Sequence, residues 1–421
     1  MRFGTPDDIA LPDERANFNH LVRDMAWFGL ALAATSRFLS IYAIRLGATP
    51  LELGLIASLP AIVLLFSSGL GGWWMRRVNH HPVKALFLPG IGFRFLFLLP
   101  ALAPFLPPDW QPAWLIASVA VPAIPQGIAS VAFMVLMRQA IEDRFMSRLI
   151  SRRMVVLNVT VGAAALAFGF WLEQMPFPVN YQAMFVLAFV FALMSERNCL
   201  KIRCILPVKP DSAKATGDSP WRSPRFLRVV FVIMVSHIAF TSILPITPLR
   251  MMHDLGATEG FMALFGLAEL VAGAMISLVT SRVVGRIGNQ AMIGLAMIGT
   301  AVAALVLALA PSLPITLVAA AISGASWTAA TTGVFGLFMQ SAPAESMTRY
   351  SVAYQQMVGL ALFAGPMIGS TLVNSGAQVV IVVLMGAALR LVAGAMIEYG
   401  VFGQVTRTSR AALTAVARGV K

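Results

Sequence analysis

Long apolar runs take up most of this 421-residue chain and constrain its fold more than any motif does. A helix that crosses a bilayer needs about 20 mostly apolar residues, and the chain offers about twelve such runs. These runs use most of the length, so no stretch remains to fold as a water-soluble domain. Only 12% of the residues are charged, against roughly a quarter in soluble domains. The sequence therefore predicts an all-α integral membrane protein with twelve transmembrane helices. The predicted spans are 22–46, 51–74, 83–105, 112–137, 154–173, 181–198, 226–250, 258–280, 289–310, 313–340, 350–374 and 377–399.

The positive charge is concentrated in the connections on one side of these spans. Both terminal segments and every second connection together hold 24 Lys and Arg residues, whereas the remaining connections hold only Arg45 and Arg250. Since Lys and Arg accumulate in cytoplasmic loops, this alternation predicts that both termini face the cytoplasm. The formal net charge of +13 therefore reflects membrane topology, and we expect the lipid bilayer, not nucleic acid, as a partner. We expect a multi-pass protein of the bacterial cytoplasmic (inner) membrane.

A four-residue string, Leu-Gly-Ala-Thr, occurs at Leu46–Thr49 and again at Leu255–Thr258. The offset of 209 residues (255 minus 46) is close to half of the chain, and both copies follow an odd-numbered span. At the same offset, Arg77 corresponds to Arg286. These coincidences indicate a duplication that gives two pseudo-symmetric six-helix bundles. The predicted organisation is an N-terminal tail (1–21), a first bundle (22–198), a cytoplasmic linker (199–225), a second bundle (226–400) and a C-terminal tail (401–421).

The connection between the second and third spans carries a degenerate motif, which reads GWWMRRVNHH from Gly72 to His81. With the twelve spans, the cytoplasmic termini and the two similar halves, the chain resembles the major facilitator superfamily (MFS) over nearly its whole length. The family signature in this loop is Gly-x-x-x-Asp-Arg/Lys-x-Gly-Arg/Lys-Arg/Lys. Arg76 stands where the family has Asp, and Asn79 where it has its second Gly. The resemblance implies a cytoplasmic gate built from Gly72, Arg76 and Arg77, with Arg282 and Arg286 in a looser copy in the second half.

A second string, Gly365-Pro366-Met367-Ile368-Gly369, lies in span eleven. The Gly-Pro signature of drug/proton antiporters belongs in span five and is absent there, so drug antiport lacks its usual marker. The string in span eleven has two interpretations. It favours close helix packing through small residues, and the alternative is a functional hinge.

Five ionisable side chains lie inside the predicted spans, where a charge is costly and by default faces the bundle interior. The resemblance implies that spans one, four, seven and ten line a central cavity, that two, five, eight and eleven flank it, and that the others are supports. An arginine on a support helix is expected to bond backbone carbonyls or to reach toward the headgroups. This applies to Arg390 on span twelve, whereas Arg94 on span three stays open between the two roles. The five residues are Arg37, Arg94, His237, Glu269 and Arg390.

Arg37, His237 and Glu269 lie on the spans that the resemblance assigns to the cavity or its flanks. Counted inward from Gly47 and Gly256, Arg37 and Glu269 lie roughly 15 and 20 Å deep at 1.5 Å per residue. We therefore expect them to meet between the two halves, with His237 roughly 9 Å deeper than Glu269. The alternative is that Glu269 pairs with a local hydroxyl and has no role in transport.

Uncharged polar side chains recur on single faces of the same helices, because residues four apart share a helix face. A Trp with a polar stripe can form a substrate-binding surface, whereas Ser and Thr can also bond to their own helix carbonyls and pack helices. We predict that these faces line the substrate cavity. They are Gln126 and Ser130 on span four, His237 and Thr241 on span seven, and Ser323, Trp327 and Thr331 on span ten.

These features favour a secondary active transporter that moves a small organic solute by alternating access. Glu269 and His237 are the candidates for proton coupling, because a carboxyl in a low-dielectric cavity and an imidazole can both titrate near neutral pH. Arg37 and Arg94 against one central carboxylate suggest an anionic or zwitterionic solute. The alternative is a non-transporting membrane assembly factor or receptor on the same scaffold, which the degenerate loop motivates.

A membrane-embedded enzyme is less favoured, because the chain has no His-x-x-x-His cluster and no catalytic residue is expected. No cofactor or metal is expected either. A nucleotide-binding Gly-x-x-x-x-Gly-Lys-Ser/Thr motif is absent. Cys199 and Cys204 are too few for a zinc site or a disulfide framework and are interpreted as unpaired thiols. We expect the protein to be a monomer.

The predicted topology can be tested by cysteine labelling in intact cells. Cysteines introduced near Asp109 and Gly376 should react with an impermeant reagent from outside, because these connections carry almost no Lys or Arg. Lys214→Cys should not react. Labelling of Lys214→Cys in intact cells would show that the topology is wrong.

Overall fold

A computed structural model describes residues 12–79, 81–205, 219–343 and 347–399. All regular structure in these ranges is helical, and twelve helices are long and apolar enough to cross a membrane. The predicted number of spans is therefore confirmed. Much of the predicted N-terminal tail and linker, and all of the predicted C-terminal tail, lie outside the described residues.

The described residues within Met1–Lys214 and Met251–Leu267 form one compact unit, here called unit 1. It contains the first six spans and the beginning of the eighth. The segment Met251–Leu267, which lies within the predicted second bundle (226–400), is part of unit 1. The first six helices are α1 (Pro12–Arg45), α2 (Pro50–Arg77), α3 (Pro82–Phe105), α4 (Pro108–Ala140), α5 (Asp143–Gln174) and α6 (Val179–Cys199).

The described residues within Ala215–Arg250 and Ala268–Lys421 form unit 2. Its core is built around α7, α9, α10, α11 and α12, with apolar side chains such as Phe226, Ile293 and Val334 fully or almost fully buried. The helices are α7 (Pro224–Thr241), α8 (Glu259–Ile287, which begins in unit 1), α9 (Asn289–Leu309), α10 (Leu313–Ser341), α11 (Met347–Asn374) and α12 (Val379–Tyr399).

The sequence analysis predicted that the first span begins near residue 22, but helix α1 begins at Pro12. At 1.5 Å per residue its 34 residues are longer than the roughly 30 Å hydrocarbon core, so hydropathy detects only part of it. Protein contacts bury the polar first turns. Glu14 accepts the backbone N–H of Glu142, and the Asn17 amide donates to the carbonyls of Ala140 and Arg203.

Spans one and seven are irregular at the same position of the repeat. In α1 the residues Ala34–Phe38 form a π-helical turn. Span seven, predicted as one helix over 226–250, instead ends its α-helix at Thr241 and continues through turns to a short helix at Thr247–Leu249. The offset of 209 places Ala34 at residue 243, next to this break. Gly47 and Gly256 also share a left-handed conformation, with φ of 81° and 69°, which glycine adopts readily.

Arg390 of α12 stabilises the end of α7. The Leu244 N–H donates to Thr241 O. In a continuous helix the same N–H would donate to Phe240 O. Arg390 Nη2 donates to Phe240 O at 2.6 Å and Nε donates to Ala239 O at 3.3 Å. A guanidinium at a helix C-terminus satisfies unpaired carbonyls and complements the helix dipole. These contacts are those of the structural arginine that the sequence predicts on a support helix.

The Gly-Pro string of span eleven packs against the same break. A Cβ at Gly365 would overlap the Thr241 hydroxyl, and a Cβ at Gly369 would overlap the carbonyl oxygen of Ser242. Glycine at both positions therefore lets α11 approach the irregular backbone of span seven. This favours the packing interpretation of the string.

We predict that Gly369→Ala destabilises the protein by about 1–3 kcal/mol, because the new methyl group meets a backbone carbonyl that has no rotamer to change. Gly285→Ala is the matched control, since no atom lies within 4 Å of a Cβ at that helical position. The control should be neutral or stabilise by up to about 1 kcal/mol. Thermal unfolding in detergent measures both, and equal midpoints would contradict the proposed close packing.

Candidate functional site

In unit 2, three ring side chains from α7 and α10 form one contact surface, here called the aromatic surface. The rings of Phe240 and Trp327 are stacked at 3.8 Å with an interplanar angle of 6°. His237 meets Trp327 edge-on at 5.0 Å, and the Arg390 guanidinium lies 5.0 Å from the centre of Phe240. The structure therefore brings the predicted residues His237 and Trp327 together. It also adds Phe240, which the sequence analysis missed although it follows His237 by almost one helical turn.

The hydrogen bonds of His237 define its free nitrogen. Its Nδ1 lies 3.0 Å from the carbonyl oxygen of Ile233. Because a carbonyl only accepts, Nδ1 carries the hydrogen in this contact. The neutral ring therefore keeps Nε2 as the nitrogen that can accept a proton or a hydrogen bond. The side chain is buried, with 6% of the residue exposed.

The predicted hydroxyl groups near this surface bond to their own helices. Thr241 Oγ1 donates to His237 O at 2.7 Å, and Thr331 Oγ1 donates to Trp327 O at 3.0 Å. Ser323 is half-buried on α10. Each bonded hydroxyl has used its only hydrogen, so Thr241 and Thr331 can offer a solute acceptor lone pairs but no donor.

Glu269 lies at a close approach between α8 and α10. Gly324 of α10 packs against the Glu269 backbone so tightly that a Cβ at Gly324 would overlap the Glu269 carbonyl. One turn further along α8, Gly273 packs against the Thr328 hydroxyl. Glu269 is half-buried. The polar stripe of α10 and the carboxylate of α8 thus occur on two helices in direct backbone contact.

In unit 1, Arg37 is held by an irregular helix and by a glycine. It lies in the π-helical turn Ala34–Phe38 and is half-buried. A Cβ at Gly266 would lie 3.1 Å from the guanidinium carbon of Arg37, so the guanidinium packs against the bare backbone of α8. Single π-turns inside α-helices are frequent at functional sites.

The other predicted cavity residues of unit 1 lie on α4. Gln126 is half-buried and Ser130 is exposed. Ser130 Oγ donates to the carbonyl of Gly127 in its own helix. Gly127 itself packs against the Ser67 hydroxyl and the backbone of α2. This is the bond within the helix that the alternative interpretation of the Ser and Thr side chains predicts for Ser130.

The predicted gate loop between α2 and α3 has a left-handed residue and a side-chain bond that ties the two helices together. Asn79, which replaces the second Gly, adopts φ of 52°, a left-handed conformation that Asn tolerates better than most residues. Trp74 Nε1 donates to Ala85 O and ties α2 to α3. Gly72, Arg76 and Arg77 are exposed at the end of α2, and Arg282 and Arg286 are exposed near the end of α8.

The sequence analysis missed an ionic contact at Glu259, the first residue of α8. Arg45 donates two hydrogen bonds to its carboxylate, at 2.9 Å from Nε and 3.1 Å from Nη2. The Tyr181 hydroxyl donates to the same carboxylate at 3.1 Å, and Glu173 accepts the neighbouring Gly260 N–H. Arg45 was notable as one of the two cations in the outer connections, but its partner is 214 positions away and has no local signal.

Within the described residues, no group of three or more His, Cys, Asp or Glu side chains is placed to hold a metal ion. Cys199 is buried, Cys204 is exposed, and neither forms a disulfide. Partial burial of the sulfur raises the pKa of the Cys204 thiol.

The sequence profile described as Major Facilitator Superfamily matches residues 24–366 and 229–409 of the chain. The chain belongs to the Major Facilitator Superfamily. The family resemblance and the predicted fold class are thereby confirmed. MFS members are transporters and not enzymes. The protein is therefore a multi-pass membrane protein with an MFS transporter fold.

Solved MFS structures superpose on nearly the whole chain at low sequence identity. A bacterial homologue of the human lysosomal transporter Spinster has a TM-score of 0.69 at 11% identity, covering 93% of this chain and 97% of its own. A bacterial homologue of the iron transporter ferroportin has 0.68 at 12%, covering 91% and 98%. The D-xylose-proton symporter has 0.66 at 14%, covering 92% and 97%. At identities this low, the structural similarity shows a shared fold and nothing finer. A search of curated protein sequences found no significant match.

We predict that Glu259→Gln lowers the stability of the protein more than Tyr181→Phe does. The first change removes the charge that attracts Arg45, whereas the second removes one neutral donor to a carboxylate that stays paired. Because Arg45 is 47% exposed, solvent screening limits the loss in Glu259→Gln to about 1–2 kcal/mol. Thermal unfolding of the two variants in detergent provides the comparison. A larger loss in Tyr181→Phe would mean that the tyrosine, and not the ion pair, holds this contact.

Proposed function

We propose that the chain is a proton-coupled secondary transporter that moves a small organic solute across the membrane by alternating access. The observation that carries this proposal is the aromatic surface of His237, Phe240 and Trp327 on two helices that the family uses for its cavity. Trp327 is the partly exposed ring of this group, and an indole beside an imidazole suits a solute with both an apolar face and a polar group.

The proposed solute is anionic or zwitterionic. Arg37 supplies a guanidinium at membrane depth, where a fixed positive charge attracts a carboxylate or phosphate and binds it in a bidentate manner. Its packing against Gly266 leaves the planar group few alternative positions. The solved neighbours include a D-xylose-proton symporter, a nucleoside transporter and a peptide transporter, so the fold itself serves solutes of several classes.

Proton coupling is assigned to Glu269, with His237 as the second candidate. A carboxylate on an apolar span must be paired, protonated or hydrated, because an isolated buried charge is too costly. The backbone contact of α8 with α10 at Gly324 supports a coupling between Glu269 and the helix that carries Ser323, Trp327 and Thr331. His237 Nε2 can exchange a proton with a solute or with water at the aromatic surface.

Topology and assembly are part of the proposal. The charge bias of the connections supports cytoplasmic termini in a bacterial inner membrane. We propose a monomer, because each unit has its own buried core. The loop residues Arg76, Arg77, Arg282 and Arg286 are proposed to form the cytoplasmic gate.

The second candidate function is a non-transporting assembly factor or receptor. One observation favours it: Arg76 replaces the acidic residue of the gate signature, so this loop has no carboxylate with which to form the usual ion pair. Asn79 in this loop adopts a left-handed conformation. Flux measurements in proteoliposomes with a panel of radiolabelled organic anions, amino acids, sugars and nucleosides separate the two functions. Absence of flux for the whole panel, with specific binding of one member, would favour the receptor.

We predict that Glu269→Gln abolishes uphill accumulation in proteoliposomes with an imposed pH gradient, because Gln cannot carry the coupled proton. Exchange of labelled for unlabelled solute should persist, since it needs no net proton movement. Glu52→Gln is the matched control, because Glu52 is a half-buried residue of a helix capping box, a role that Gln can also fill, and is not one of the predicted cavity residues. If Glu269→Gln accumulates solute with the pH dependence of the wild type, Glu269 has a structural role.

A further inference from the structure

Four of the almost completely buried charged side chains of unit 1 form two neighbouring ion pairs and belong to no predicted cavity face. Asp24, Arg94, Arg153 and Glu196 lie on α1, α3, α5 and α6, and each side chain is at most 7% exposed. A charge at this depth is strongly destabilising unless it is paired or hydrogen-bonded.

Asp24 is fully satisfied as a carboxylate. Arg153 Nη1 lies 3.1 Å from its Oδ2, and Ser195 Oγ donates to its Oδ1 at 2.6 Å. Both oxygens of Asp24 thus have a donor, one of them the guanidinium of Arg153.

Glu196 differs from Asp24 in this respect. Its Oε2 lies 2.8 Å from Arg94 Nη2, yet neither carboxylate oxygen has a hydrogen bond of acceptable geometry, and both are buried. The carboxylate packs against the bare backbone of Gly90, where a Cβ would overlap Oε1. A buried carboxylate oxygen without a donor is destabilised, so this position favours the neutral acid.

Arg94 does not depend on Glu196 for its hydrogen bonds. It donates to Gly90 O, Ala192 O and Ser195 Oγ at 3.2, 3.4 and 3.2 Å, and it lies 5.1 Å from the ring centre of Phe93. The guanidinium can therefore remain charged and satisfied when Glu196 is neutral.

Arg390 of unit 2 shows that the fold accommodates such an arginine. It donates to three carbonyls, those of Ala239, Phe240 and Thr300, and it lies 5.0 Å from an aromatic ring centre. Among the described residues it forms no salt bridge. Carbonyl oxygens and one aromatic face thus suffice to bury a guanidinium in this protein.

We propose that Glu196 is an exchangeable proton-binding site, separate from the central cavity. The proton comes from water at the nearby end of α6, since Glu196 lies about one turn before the last helical residue, Cys199. It forms an O–H bond at one carboxylate oxygen, and no other covalent bond changes. The charged and titratable groups that face the site are Arg94 on α3, Asp24 on α1, Arg153 on α5 and Cys199 on α6 itself.

Proton binding at Glu196 removes the ion pair between α3 and α6 and leaves the three neutral acceptors of Arg94 in place. The packing of these two helices then responds to the pH on the side of the membrane where α6 ends. The inference rests on contacts within unit 1 alone, so it does not depend on transport or on a proton at Glu269.

Infrared difference spectroscopy of the purified protein in detergent tests the site without knowledge of the solute. Between about pH 5 and pH 9, the wild type should show a carbonyl stretch of a protonated carboxyl group that disappears as the pH rises. Glu196→Gln should lose this band, whereas Glu52→Gln should retain it because the Glu52 carboxylate accepts hydrogen bonds from the Thr49 N–H and hydroxyl. Gel filtration and tryptophan fluorescence verify that the variants are folded.

A band that is unchanged in Glu196→Gln, or that is absent from the wild type over the whole range, would overturn the proposal. If Glu196→Gln does not fold, Glu196→Asp serves instead. The shorter acid lies in a different environment, so its band should shift in frequency or in titration midpoint. An identical band in Glu196→Asp would assign the proton to another residue.

Discussion

Every backbone carbonyl at membrane depth needs a hydrogen-bond partner within the protein, because lipid offers none. Continuous helices meet this requirement internally, apart from the carbonyls that would pair with an internal proline such as Pro60, Pro89 or Pro366. Span seven does not, since its α-helix ends at Thr241. Arg390 donates to the carbonyls of Ala239 and Phe240 beside this break, and the glycines of α11 let that helix lie directly against the turn.

The same requirement positions the aromatic surface. Phe240 supplies a carbonyl to Arg390 through its backbone and a ring to both Arg390 and Trp327 through its side chain. The guanidinium that closes the helix end therefore also fixes the ring on which Trp327 stacks. Helix interruptions at membrane depth are tolerated where the irregular backbone is covered by protein or lines a cavity. Here the interruption and the candidate binding surface share one residue.

The sequence predicts most of the fold and part of the site. Hydropathy finds all twelve spans because membrane thickness sets the length of an apolar helix. It misplaces the start of α1, because Glu14 and Asn17 are buried by protein and not by lipid. The break in span seven was missed because its partner, Arg390, is about 150 positions away. His237 and Trp327 were selected from family roles, whereas Phe240, an ordinary apolar residue in sequence, gains its role only through the stacking.

The two units bury arginine in a similar way but differ in what lies beside it. Arg94 and Arg390 both rest near an aromatic ring and donate to several neutral oxygens, yet only Arg94 also faces a carboxylate. Since the neutral oxygens alone hold Arg390, an additional charge at Glu196 is not needed to stabilise Arg94. An ionised Glu196 would also lie close to Asp24, which is bonded through Ser195 to the same arginine. Repulsion between the two carboxylates and the missing donor at Oε1 act in the same direction, toward a proton on Glu196.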